Sequence, residues 1–355
     1  MTRSPLLPRF FLSGVLLVLA TLAGETWAAE QRGRYFGAKA TEYPAWFKES
    51  FLNLREDIAE AAAANKRVLI VFHQDNCPYC NLLVERNLSQ KDIVDLMQAR
   101  FDTVAINMWG DREVTDYSGS RMTEKQFAAA LKVQFTPTLL FFDEQGQVVL
   151  RLNGYLPPQR FKLALEYVAN RKEKELPFRE FMARHEPPPA SGTLHGEDFF
   201  AAPPHDLRRV RQPIAVFFEQ KDCPACDMLH DKVLTDAETR QVVKKLYNLQ
   251  LDMWSDTPVI LPDGRKTTAR EWARQLDVKY APTIVIMDAR GKEIIRSEAF
   301  FKVFHTQGMF AYAVTGAYRK EPSFQRYLSA RAEALREQGR DVDIWRFADE
   351  PPGPR

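Results

Sequence analysis

Two stretches of the chain pass through the same succession of apolar and polar patterns. RVLIVFH, Arg67–His73, is a short and nearly continuous apolar run, the pattern of a strand buried on both faces. CNLLVERNLS, from Cys80, then carries apolar residues at helical spacing, and FDTVAINMW reads as the next strand. MTEKQFAAALKV places Phe127 and Leu131 on one face of a helix whose start Thr123 caps. TPTLLFFDEQGQVVLRL predicts a hairpin, two apolar runs around a turn at Asp143–Gln147 that contains Gly146. Further on, IAVFFE, LQLDMW, TAREWARQLDV and PTIVIMDARGKEIIRS repeat these patterns in the same order. Strands alternating with helices and closed by a hairpin make an α/β layer, so the expected fold class is α/β with two tandem domains.

The repetition is an internal duplication. Cys77 falls on Cys223 at an offset of 146 residues, while Met108-Trp109 falls on Met253-Trp254 and Thr136-Pro137-Thr138 on Ala281-Pro282-Thr283 at an offset of 145. Phe178, Phe181 and Met182 return as Phe324, Tyr327 and Leu328. The first copy is preceded by PAWFKESFLNLREDIAEAAAANKR, which predicts a long amphipathic helix; the second has only a short counterpart near Leu207. Proline and small residues between the copies predict a linker. The expected layout is a first domain at 30–184, a linker at 185–212, a second domain at 213–338 and a frayed tail at 339–355 after a helix stopped by Gly339.

Composition changes this picture little. In 355 residues, 49 Lys plus Arg stand against 47 Asp plus Glu, a net charge of +2 with no basic block, so a nucleic-acid partner is not expected. The N-terminus matters more. Arg3 and Arg9 precede an apolar run from Phe10 to Gly24, and Thr26-Trp27-Ala28 suits a small-X-small cleavage site. Residues 1–29 therefore read as a signal peptide; the competing reading, an uncleaved anchor, needs a run nearer the ~20 residues of a spanning helix. Export places the chain in a compartment that tolerates disulfides.

All four cysteines lie in two elements, HQDNCPYCN and EQKDCPACD. A CxxC after a strand puts its first cysteine at a helix N-terminus, where free N–H groups and the helix dipole favour a thiolate. Cys77 and Cys223 are thus the attacking thiols, and Cys80 and Cys226, a turn further on, resolve the mixed disulfide. Pro78 and Pro224 suit the first helical turn, where a missing N–H costs nothing. Zinc ribbons space their CxxC pairs by ~15 to 20 residues, unlike these. A permanent bridge across two intervening residues closes too small a loop to stabilise much. Redox chemistry is the expectation. No GxGxxG follows a strand, so no flavin or nicotinamide cofactor is expected, and His185, His195 and His205 follow no metal-ligand pattern and read as solvated linker residues. Trp109 and Trp254 read as half-buried strand-end residues.

FHQDNCPYC with VQFTPTLLFFD, and FFEQKDCPAC with VKYAPTIVIMD, resemble the thioredoxin fold, a central mixed sheet flanked by helices. The resemblance implies cis bonds before Pro137 and Pro282, and a substrate-binding role for Tyr79, Thr136, Pro137, Ala281 and Pro282. More narrowly, residues 43–184, with INMWGD and RLNGYLPP, are similar to exported SoxW-like thioredoxins, and 213–335 more loosely so. That similarity implies a periplasmic dithiol reductase of client proteins, recharged by a membrane thiol carrier of the DsbD or CcdA type. An isomerase, or a client-binding module with an inert second copy, is the alternative. The chain departs from ordinary thioredoxins where a buried Asp precedes the first cysteine by six residues; Val71 and Phe217 stand there. His73 and Glu219, four before the cysteines, are the candidates to relay protons, and the plainer reading of each is a polar strand end.

Overall fold

The computed structural model describes residues 32–185, 193–221, 223–298 and 301–350. The expected signal peptide lies outside the described residues. In the first half, β1 (Tyr35–Phe36), α1 (Leu54–Ala63), β2 (Arg67–His73) and α2 (Pro78–Leu82) lead through a π-turn to α3 (Lys91–Arg100) and β3 (Phe101–Asn107). A small hairpin, β4 (Glu113–Thr115) and β5 (Arg121–Thr123), precedes α4 (Glu124–Ala130), β6 (Thr138–Phe142), β7 (Val148–Asn153), α5 (Pro158–Ala169) and α6 (Phe178–His185). The second half runs β8 (His205–Asp206), β9 (Ile214–Glu219), α7 (Pro224–Lys232), α8 (Ala237–Val243), β10 (Tyr247–Asp252), β11 (Pro258–Ile260), β12 (Lys266–Thr268) and α9 (Ala269–Gln275). It closes with β13 (Thr283–Met287), β14 (Glu293–Ser297), α10 (Val303–Val314), α11 (Phe324–Glu337) and β15 (Val342–Asp343).

Each half builds one four-stranded mixed sheet, in the orders β3-β2-β6-β7 and β10-β9-β13-β14. The central strand pairs parallel on one side and antiparallel on the other, with Phe72 opposite Thr138 in the first sheet and Phe218 opposite Thr283 in the second. Both central strands are covered on both faces, which is why their sequences are apolar throughout. Phe72, Phe141, Phe217 and Phe218 are fully buried, each contributing about 1.5–3 kcal/mol of hydrophobic stabilisation. Thr123 caps α4 as expected, with Gln126 completing a capping box, and the Asp143–Gln147 turn closes with Gly146 at φ 76°.

Three expectations need correction. The helix before β2 spans only Leu54–Ala63: the Ser50 hydroxyl accepts the Leu52 N–H, and Leu52 turns left-handed at φ 61°, which ends any earlier helix. The second domain begins before residue 213. Leu207 is fully buried, β8 pairs with β11, and Phe200 bridges to Asn248, so residues 193–212 of the expected linker pack with that domain, while His185 ends α6 of the first. The tail after Gly339 does not fray through residue 350. β15 pairs parallel with β1, and Val342 and Ile344 are buried, because apolar side chains there find a partner surface some 300 residues away in sequence. Gly37 makes this possible: its φ is +86°, and a Cβ would stand 2.7 Å from that of Trp345.

The two halves share an interface. Phe135, before the first X-Pro bond, stacks on Phe301 at 4.9 Å, and Tyr280, before the second, packs into the core of the first domain. The Asn153 amide donates to Glu298 at 2.8 Å across the same boundary. Among the described residues, no helix is long and apolar enough to cross a membrane.

Candidate active sites

Both CxxC pairs sit where a buried strand ends and a helix starts, and both are disulfide-bonded, Cys77 to Cys80 and Cys223 to Cys226. Cys77 and Cys223 are the N-cap residues of α2 and α7, with the prolines directly after them in the first turn. The Cys80 N–H points at the Cys77 sulfur, and the Cys226 N–H at the Cys223 sulfur, each at 3.1 Å. A free amide aimed at a sulfur stabilises it as a thiolate, whether during attack or as a leaving group. Thr136-Pro137 and Ala281-Pro282 are cis. The Thr136 hydroxyl donates to the Cys77 sulfur at 3.3 Å, a contact that Ala281 has no group to make.

The sites differ in their surroundings. Cys77 and Cys223 are almost equally buried, at 3% and 2% exposure. Around Cys77, however, Pro78 and Tyr79 are buried, whereas around Cys223 Pro224 and Asp227 are exposed and Met228 is 42% exposed. The cover over the first site comes from the second domain. The Tyr79 hydroxyl accepts the Lys302 N–H at 2.9 Å, and its ring packs edge-on against Phe301, His305 and Trp345. Burial raises the Tyr79 pKa far above the usual tyrosine range, so the hydroxyl stays neutral. On the second site, Arg160 of the first domain donates to the Ala281 carbonyl at 3.2 Å. Tyr79 and Ala225, the variable residues of the two CPxC motifs, line one apolar cavity of about 270 Å³ between the domains, together with Pro282.

His73 and Glu219 occupy matching strand ends in unlike environments. His73 packs its ring on Tyr43 at 4.8 Å, and burial lowers its pKa. Glu219 is 1% exposed and starts a chain of polar groups. Its Oε1 meets His230 Nε2 at 3.0 Å, its Oε2 accepts from Gln250 at 2.8 Å, and His230 Nδ1 meets Glu197 at 3.0 Å. Glu197 in turn pairs with Arg240 at 2.8 Å. Burial pulls the His230 pKa down, but hydrogen bonds and charge from Glu219 and Glu197 outweigh it, and the net shift is upward. His195 stacks on His230 at 4.6 Å and meets Asp227 at 2.7 Å.

The linker histidines are thus not simply solvated: His195 joins this cluster, His205 is buried in β8, and His185 bonds the Phe181 carbonyl within its own helix. No group of three or more His, Cys, Asp or Glu among the described residues is placed to hold a metal ion. Trp109 is 36% exposed and donates its indole N–H to Gln74; Trp254, half-buried, does the same to Gln220 and lies under the Arg179 guanidinium. Sequence reasoning missed His230, Glu197, His305 and Trp345. Only His230 had a local signal, its place one helical turn after Cys226, where the first copy has Val84.

The sequence matches the thioredoxin-like domain family over residues 54–169 and again over 206–302. No curated protein matches it. Among solved structures, it is similar to a thioredoxin-fold protein from Helicobacter pylori, with 25% identity over 34% of this chain and 80% of the other, at a TM-score of 0.29. A thioredoxin from Thermus thermophilus gives 24% identity over 39% and 87% of the two chains, at 0.27. The oxidised C-terminal domain of DsbD from Neisseria meningitidis gives 16% over 33% and 91%, at 0.24. The family match takes in both sheets and both CxxC turns, so the chain belongs to the thioredoxin-like domain family and is a thiol–disulfide oxidoreductase with two dithiol sites.

Proposed function

We propose that the chain is an exported dithiol reductase of the periplasm that acts on client disulfides through mixed disulfides and is recharged by a membrane thiol carrier of the DsbD or CcdA type. The observation that carries the reading is the pair of N-cap cysteines, each with an amide 3.1 Å from its sulfur. Cys77 and Cys223 attack, and Cys80 and Cys226 resolve. Tyr79, Thr136, Pro137, Ala281 and Pro282 form the walls a substrate meets. Export rests on the charged and apolar pattern of residues 1–29, and the reducing direction on the similarity to SoxW-like thioredoxins.

The two proton-relay candidates separate here. Glu219 is the relay of the second site, because it opens a continuous chain through His230 to Glu197. His73 is a packed ring on Tyr43 and serves the fold. A cavity of about 270 Å³ between the sites holds a side chain or two and not a misfolded polypeptide, which favours reductase over isomerase.

The test is the reduction potential of each dithiol, measured in variants with the other pair changed to serine. Values near the roughly −270 mV of thioredoxin support a reductase; values near the roughly −120 mV of a strong oxidant overturn it. Changing both Cys77 and Cys223 to serine lowers insulin reduction by at least ~100-fold, a loss of about 2.7 kcal/mol of barrier lowering.

A further inference from the structure

The face of the first dithiol is roofed by the other half of the molecule. Gln325, on α11, donates to the Gln134 carbonyl at 3.0 Å and accepts from Gln74 at 2.9 Å, while the Phe324 N–H bonds the Gln134 side chain at 3.0 Å. Phe135 lies under Phe301. A polypeptide lying along this loop toward Thr136 would meet a Gln134 carbonyl and side chain that already have partners.

Beneath the roof a space remains. A cavity of about 300 Å³ is lined by Cys77 and Thr136 from the first domain and by His305 and Gln325 from the second, with the exposed Tyr35 and Trp109 at its rim. That is the low end of the volumes that hold small ligands, and far below what a folded chain needs. His305 Nδ1 is buried without a hydrogen-bond partner among the described residues, and burial lowers its pKa to about 4, so the ring is neutral and has a polar atom to offer.

We propose that the first dithiol site takes a low-molecular-weight disulfide, whereas the second, whose helix start is open at Pro224, Asp227 and Met228, admits the larger disulfide of an extended chain. The proposal rests on the thiol–disulfide reading of both sites. The Cys77 thiolate attacks one sulfur of the substrate RS–SR; that S–S bond breaks, a Cys77–SR bond forms, and RS⁻ leaves and takes up a proton. The Cys80 thiolate then attacks the Cys77 sulfur, the second RS⁻ leaves and is protonated, and Cys77–Cys80 forms. Two electrons pass from the dithiol to the substrate, which becomes two thiols. The Thr136 hydroxyl, 3.3 Å from the Cys77 sulfur, supports the thiolate at the start. His305 offers the substrate's polar groups a hydrogen bond through its unpartnered Nδ1.

The experiment uses the full chain in two versions, Cys223→Ser/Cys226→Ser and Cys77→Ser/Cys80→Ser, each reduced beforehand and mixed with either cystine or insulin. Disulfide formation is followed by acid quenching and mass spectrometry. The ratio of cystine rate to insulin rate is expected to be roughly tenfold higher at the first site than at the second, equal to about 1.4 kcal/mol of barrier. Comparing ratios removes the difference in intrinsic reactivity of the two substrates. Gln325→Ala, placed in the first version, is expected to raise its insulin rate a few-fold by loosening the roof; should it not fold, the comparison of the two versions stands by itself. Equal ratios at both sites overturn the proposal and leave the oxidoreductase reading standing. Failure of both substrates to oxidise either dithiol overturns the oxidoreductase reading together with the proposal.

Discussion

The two dithiol sites are alike in their bonds and unlike in their surroundings. Each places a cysteine at a helix N-terminus with an amide at 3.1 Å, yet Pro78 and Tyr79 are buried where Pro224 is exposed. The first site adds a hydroxyl on its sulfur and a roof from α10, α11 and the C-terminal strand. The second lacks that hydroxyl and carries in its domain a buried Glu219–His230 pair that leads to the half-buried Glu197. The two copies thus share the CxxC turn and differ in what packs around it: residues of the other domain over the first dithiol, and a network of polar side chains in the second domain.

The largest way to break the comparison is Phe301→Ala. Phe301 is 3% exposed and touches Phe135 and Tyr79 from across the interface, so its truncation is expected to cost about 3–5 kcal/mol of stability, read by urea unfolding. It is also expected to expose Cys77 to alkylation in the reduced protein without changing Cys223. Equal effects on both cysteines would mean that the roof does not belong to the first site.

Glu219→Gln is the next largest. It replaces the charged acceptor of His230 and Gln250 with an amide whose oxygen can accept from one of them while its NH2 faces the other donor, at an expected cost of about 1.5–3 kcal/mol. The His230 pKa is expected to fall, as followed by NMR, and the pH midpoint of Cys223 alkylation to move while that of Cys77 stays. An unmoved Cys223 midpoint would reduce the chain of polar groups to a structural one.

The smallest effect is the response of stability to pH, and its sign differs between the sites. The folded His230 pKa is raised, so its contribution is complete below the unfolded value near ~6.5 and is lost as pH rises through the folded value. His73 and His305 are shifted down by burial. Their contributions are complete above ~6.5 and are lost as pH falls, for His305 toward about 4. Hydrogen exchange should therefore show the region around His230 loosening on the alkaline side and the interface around His305 loosening on the acid side.

What the sequence revealed was what it encodes locally. The apolar run of β2, the Thr123 cap, the Gly146 turn and both CPxC turns are each set within about ten residues, and each stands where its pattern placed it. The start of α1 was misread because amphipathic spacing continues through Pro44–Asn53, while the Ser50 hydroxyl and the left-handed Leu52 break the helix. The tail was misread for a different reason. Val342, Ile344 and Trp345 look like scattered apolar residues in a polar stretch, and it takes the distant β1 and Tyr79, together with Lys302 and the core of the second domain, to give them a surface to bury. The same holds for His305 and Gln325, whose neighbours in space lie in the other copy, so no window of sequence could tie them to Cys77.

The central claim, one chemistry with two kinds of access, is tested most directly by labelling the reduced wild-type chain with a small alkylating agent and, separately, with a maleimide carried on a large polymer, then locating each label by mass spectrometry. Cys223 is expected to take both reagents and Cys77 to take the small one while excluding the large one. Labelling of Cys77 by the polymer reagent at the rate of Cys223 would contradict the account.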